Sequence, residues 1–231
     1  MQWMDGTAPG AGTVLAHRRA VLAAGLALAA FGARAAAEGA ADTGILFLVR
    51  RNGSDIGRHS VSFTRTGTRL TAHIEAQFRV GFGPITFYRY HHRATEIWRD
   101  GHFISFESQT DDNGTRLEVQ AHRGPSGIAI SATNQANVTA APDALPLTHW
   151  AVAAMSAPLF NPENGKKLRE VAHARGPGTV RLADGKQIQA VSYTLAGEAP
   201  IEDWYDDRSV WAALDATGKD GSKITYRRQT V

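Results

Sequence analysis

There is no cysteine among the 231 residues of the chain. Its absence removes disulfides, thiolate nucleophiles and cysteine metal sites together, and no lipid-modified cysteine can form at a processed N-terminus. It does not argue against export, because a domain of this size need not be cross-linked. Charge of one sign is scarce in excess, with 25 Lys and Arg against 22 Asp and Glu. No long-range field for nucleic acid or anionic lipid follows from so even a balance. Long apolar runs are missing too. The most apolar, Ala20 to Phe31, has about 12 residues, short of the ~20 that cross a bilayer as a helix.

The motifs of common chemistries are also lacking. No Gly-x-Ser-x-Gly elbow occurs, and no Gly-rich phosphate loop follows a strand pattern. The histidines past the leader (His59, His73, His91, His92, His102, His122, His149 and His173) include no HxH or HxxxH pair. His91 and His92 are adjacent, and neighbours on a strand point to opposite faces, so they do not chelate one ion together. Glu202-Asp203 and Asp206-Asp207 are paired acids in what reads as a hairpin turn, where acids collect for local hydrogen bonds. We therefore expect no catalytic constellation, no metal and no cofactor.

What is present begins with an address. His17-Arg18-Arg19, the apolar run to Phe31 and Gly32-Ala33-Arg34-Ala35-Ala36-Ala37 form the basic, apolar and small-residue regions of a secretory signal. Arg18-Arg19 ahead of Val21-Leu22 also resembles a twin-arginine signal. Residues 1–37 are thus expected to be removed, leaving one domain over 38–231 in the periplasm. Loss of Arg18, Arg19, Arg34 and Asp5 leaves 22 basic and 21 acidic residues.

Past the leader, turn signals separate runs that alternate apolar and polar residues. Leu70, Ala72, Ile74, Ala76, Phe78 and Val80 share one face of a long strand. Asn52-Gly53, Asp100-Gly101 and Asn113-Gly114 are hairpin turn pairs. Residues 86–121 read as a three-stranded meander. One helix is expected between Ala140 and Pro158, short, with Thr148 as its cap and Pro158 and Pro162 as its stops. The fold class is all-β: a curled antiparallel sheet or barrel-like domain, with the short helix plugging its opening or lying across its concave side.

The segment Gly81 to Trp98 is densest in large side chains. As a strand it places Phe87, Arg89, His91 and Arg93 on one face and Tyr88, Tyr90, His92, Ala94, Glu96 and Trp98 on the other. Backbone breakers flank it at Gly81-Phe82-Gly83-Pro84, as Pro158 and Pro162 flank Trp150. Phe87, Tyr88, Tyr90, Trp98 and Trp150 are the candidate ligand-binding residues. The same rings equally suit a strand whose side chains simply cover the sheet.

Ile97-Trp98-Arg99-Asp100-Gly101, Ser108 to Gly114, Tyr193 to Gly197, Glu202 to Asp206, Val210-Trp211 and Asp220 to Tyr226 together resemble a family of exported Gram-negative β-proteins described as a domain of unknown function. The resemblance covers roughly residues 45–229. That family is similar to a larger group whose fold is compared with periplasmic lipoprotein carriers. The resemblance implies a compartment and a fold and no catalytic residues. The expected function is a non-enzymatic binding protein for a lipid or other apolar or amphipathic ligand, or for an envelope partner, without nucleic acid and without an integral membrane segment. A structural or interaction module with a filled core, and a hydrolase of unknown specificity, are the alternatives.

Overall fold

The structure is a computed structural model that describes residues 44–82, 85–169, 172–196 and 200–230. The expected export signal over 1–37 and its cleavage site lie outside the described residues, as do Gly83 and Pro84.

Strands β1 (Ile45–Arg51), β2 (Ser54–Thr66), β3 (Arg69–Phe82), β4 (Ile85–Arg99), β5 (His102–Asp112), β6 (Thr115–Gly124), β7 (Gly127–Ala132) and β8 (Val138–Ala140) form an antiparallel meander. After β8 come the two-residue β9 (Leu145–Pro146) and β10 (Leu159–Phe160), which pair in parallel. Then β11 (Ala172–Arg181), β12 (Gln187–Leu195), β13 (Ile201–Asp206), β14 (Trp211–Thr217) and β15 (Lys223–Arg228) form a second meander. β15 pairs with β1, with Phe47 opposite Arg228, and welds both meanders into one 13-stranded sheet with β11 and β8 at its edges. The sheet curls without closing. No helix among the described residues is long and apolar enough to cross a membrane.

The local chemistry explains this path. Asn52, Asp100 and Asn113 have φ near +50°, and the glycine after each is also positive, which is the primed turn that a two-residue hairpin needs. Alternation holds along β3, where Leu70, Ala72, Ile74, Ala76 and Phe78 are buried, and along β1, where Ile45, Phe47 and Val49 are. Register shifts at Val49/Arg50, Val80/Gly81, Ile97/Trp98 and Trp204/Tyr205 bend the strands and add to the curl. Gly57 stands opposite Val49 at the first of these shifts. A Cβ there would lie 1.9 Å from the Gln77 carbonyl oxygen, so only glycine lets β2 approach β3 so closely.

The concave face is filled largely by the chain itself. Leu147, Trp150, Met155, Leu159 and Phe160, from the connection between β8 and β11, pack with Phe47, Phe103, Phe106 and Trp211 in one core. The short helix expected here is a five-residue 3₁₀ turn, Val152–Ser156. Its length has a local cause. His149 has φ +67° and Ala151 is extended, so the helical path starts only after them, and Ala157 and Pro158 end it. Thr148 does not cap this turn, because its hydroxyl donates to Glu96.

Candidate functional site

β4 splits as its alternation predicts. Tyr90, His92, Ala94, Glu96 and Trp98 are buried on the concave side, Tyr88 is half-buried, and Phe87 is 63% exposed. Glu96 is fully buried. Trp98 Nε1 donates to its Oε2 at 2.8 Å, and Trp150 Nε1 to its Oε1 at 3.0 Å, beside the Thr148 hydroxyl. Burial raises the carboxyl pKa above the usual range, and the three neutral donors work against that rise. Trp98 and Trp150 are thereby fixed by their indole nitrogens as well as their rings.

Two cavities adjoin on the concave side. The outer one, a crevice of about 430 Å³, has an apolar wall of Ile56, Phe78, Val80, Tyr88 and Ile224. Arg51 and Asp220, which form an ion pair, stand at its rim with Lys219 and Asp112. The inner one, about 100 Å³, is lined by His59, His92, His149, Tyr90, Glu163 and Tyr226 among others. Phe78 and Ile224 line both. A third hollow, about 390 Å³, lies on the outer face among polar side chains including Ser60, His73, Glu75, Arg93 and Glu107. There Glu75 accepts from His91 and Arg93, and the His91 hydrogen bond is the largest cause of its lowered pKa.

The inner cavity has unusual chemistry for a β-core. His59 lies between Trp211 and Tyr226, with ring centroids 5.2 and 5.7 Å away, and its Nε2 has no hydrogen-bond partner among the described residues. Burial pushes its pKa well below the usual histidine value, and His149 and His92 push the same way. His92 Nδ1 is 2.8 Å from Thr110 Oγ1, and burial lowers its pKa to about 3. Both rings are therefore neutral near pH 7. His149 Nδ1 is 2.8 Å from Asp203 Oδ2. Asp203 is fully buried and also accepts from Trp211 Nε1 at 2.9 Å. The His149 ring stacks on Trp211 at 5.3 Å, and the Tyr205 hydroxyl donates to its carbonyl oxygen at 2.7 Å. The Tyr90 hydroxyl donates to Glu163 Oε1 at 2.5 Å, and burial raises the pKa of Tyr90 and Tyr226. Among the described residues no group of three or more His, Asp or Glu is placed to hold a metal ion, so the three imidazoles form no metal centre.

The structure thus separates the residues predicted to bind ligand. Tyr88 lines the crevice and Tyr90 the inner cavity, Trp98 and Trp150 line neither, and Phe87 lies on the outer face. Asp203 stands within β13, not in the turn expected for it; Asp206 ends that strand and accepts from the backbone of Arg208 and Val210 and from Arg228. Sequence reasoning missed His59, His149, Asp203 and Glu163. Alternation offered a signal for the first, since His59 shares its face with Val61 and Phe63. None existed for the others, which meet His59 only through the curl.

A family model described as "Domain of unknown function (DUF6134)" matches residues 47–229. No curated protein matches. Among solved structures, the fold is similar to a β-barrel-like protein of the domain of unknown function DUF1849 from Brucella abortus, with a TM-score of 0.57 and 9% identity over 81% of this chain and 95% of that one.

Proposed function

The chain belongs to the DUF6134 family, a domain of unknown function, and from that premise we propose that it is a non-enzymatic binding protein of the periplasm that takes an apolar or amphipathic ligand. The observation that carries the reading is the crevice. Its volume of about 430 Å³ falls within the ~300–1,000 Å³ of small-molecule sites. Its wall is hydrocarbon and aromatic, with charges only at the rim, so an alkyl segment would lose water there without stripping an ion. Each methylene buried contributes ~0.8 kcal/mol, so burying about ten carbons of an acyl or isoprenoid chain corresponds to micromolar affinity. Because the connection between β8 and β11 occupies much of the concave face, the ligand would be held at one end of the sheet. The periplasmic assignment rests on the signal-like residues 17–37.

A second reading, a structural or interaction module with a filled core, is favoured by the complete burial of Phe47, Phe103, Phe106, Phe160 and Trp211. Two variants separate the readings in titrations with a fluorescent fatty acid. Val80→Trp obstructs the crevice and should weaken binding at least ~10-fold. Trp150→Ala, at a residue 3% exposed that lines neither cavity, should instead cost ~3–5 kcal/mol of stability. Absence of saturable binding of any acyl or isoprenoid probe to the wild type would leave the filled module as the reading.

A further inference from the structure

The crevice accounts for an apolar segment, and it leaves the inner cavity unexplained. That cavity is small. At ~30 Å³ per water in the liquid, its 100 Å³ accommodates about three waters or the end group of a chain. Three imidazoles line it, where the neighbouring crevice has none, and one of them has a ring nitrogen with no partner among the described residues. His59 is 7% exposed, and its Nε2 is buried with no hydrogen-bond partner among the described residues. Leaving such a nitrogen dry and unpaired costs its full desolvation. His149 is held on three sides: Nδ1 by Asp203, the ring by Trp211, and the carbonyl by Tyr205. Its backbone is strained at φ +67°, a conformation that a non-glycine residue keeps only when its surroundings impose it.

We propose that the inner cavity receives the hydroxyl end of an amphipathic alcohol whose apolar remainder passes Phe78 and Ile224 into the crevice. The inference rests on the binding-protein reading and names its ligand class. A hydroxyl can donate or accept, so it pairs with His59 Nε2 in either tautomer of the ring. A carboxylate or phosphate end would enter beside Glu163 and near Asp203, facing His59 and His92, which burial keeps uncharged. A fully apolar end would leave His59 Nε2 unpaired. The deep end group is therefore uncharged and hydrogen-bonding.

The test uses the full-length protein and displacement of N-phenyl-1-naphthylamine by 1-decanol, decyl methyl ether or decanoate. Decanol should displace the dye at concentrations at least ~10-fold lower than either competitor. The ether has no donor and the acid carries charge. In His59→Phe, which keeps an aromatic ring and loses the nitrogen, the ratio of decanol to ether affinities should fall towards one. Ala76→Leu, which narrows the same cavity from β3, should also erase the preference. Because the readout is a ratio of two competitors on one protein, a variant of reduced stability still reports. Equal displacement by decanol and ether in the wild type, or a decanol preference that persists in both variants, overturns the inference while the crevice reading stands. A dye that never binds the wild type saturably, with no fatty-acid binding, overturns both.

Discussion

His59, His92 and Glu96 are ionisable groups that the fold buries among hydrocarbon, and each has its pKa moved towards its neutral form. The consequences for stability have opposite signs. The unfolded chain takes up protons on histidine near pH 6.5 while the folded protein does not, so stability falls as pH drops below 6.5, and for His92 it keeps falling to about 3. Glu96 is protonated at higher pH folded than unfolded, so between its folded value and 4.5 it favours the folded state as pH falls. The two histidines outnumber it. We expect the wild type to lose stability between pH 7 and pH 5, His92 contributing ~2 kcal/mol at the lower pH and His59 acting in the same direction. His92→Gln, which retains a hydrogen-bonding group for Thr110, should remove ~2 kcal/mol of that dependence. Urea midpoints at the two pH values measure it, and identical pH slopes in the two proteins would contradict the role given to His92.

At the scale of elements, two glycines of the β1–β2 hairpin do different work. Gly53 needs its φ of +84° for the hairpin turn, and a Cβ there would meet nothing within 4 Å. Gly57 has a carbonyl in the place of its missing Cβ. Gly53→Ala should therefore cost ~1–2 kcal/mol, the penalty of a left-handed alanine. Gly57→Ala should cost ~3 kcal/mol or more, since β2 must move off β3 and take the bulge with it. Thermal unfolding of the two variants ranks them, and an equal loss would refute the close-approach argument. The connection from β8 to β11 shows a different logic. Its residues 147–157 read as a short helix in sequence, yet the core uses the connection as a plug whose backbone turns at His149 so that Thr148 and Trp150 both reach Glu96. Tertiary hydrogen bonding outweighs local propensity there.

For the whole molecule, an open 13-stranded sheet must protect two edges. β8 is only three residues long, and β11 carries His173, Arg175, Pro177 and Arg181 with a register shift between Ala174 and Gly176. Short, charged, bulged edges resist pairing with other chains. The weld between β1 and β15 makes the fold depend on residues 45–51 meeting residues 223–228. If residues 1–37 are removed as an export signal, as we propose, cleavage must therefore stop before Ile45. We expect intact mass spectrometry of the protein from the native envelope to give a chain beginning near Glu38. Recovery of only the full-length chain would refute export, and Lys-Lys in place of Arg18-Arg19 should block it where the twin-arginine route is used.

Period-two alternation, the three Asn-Gly and Asp-Gly turns and the absence of any sustained helical period determined the all-β class, the meander of residues 86–121, the buried face of β3 and the division of β4 into two faces from the sequence alone. These are local properties, set by adjacent residues and the geometry of the pleat. The tertiary structure decided the rest: that the sheet stays open, that Trp98 and Trp150 share a buried carboxylate, and that His59, His92 and His149 face one cavity from three distant segments. Alternation says which face a side chain takes and is silent about what it meets, because the meeting depends on the curl and bulges summed over the whole sheet.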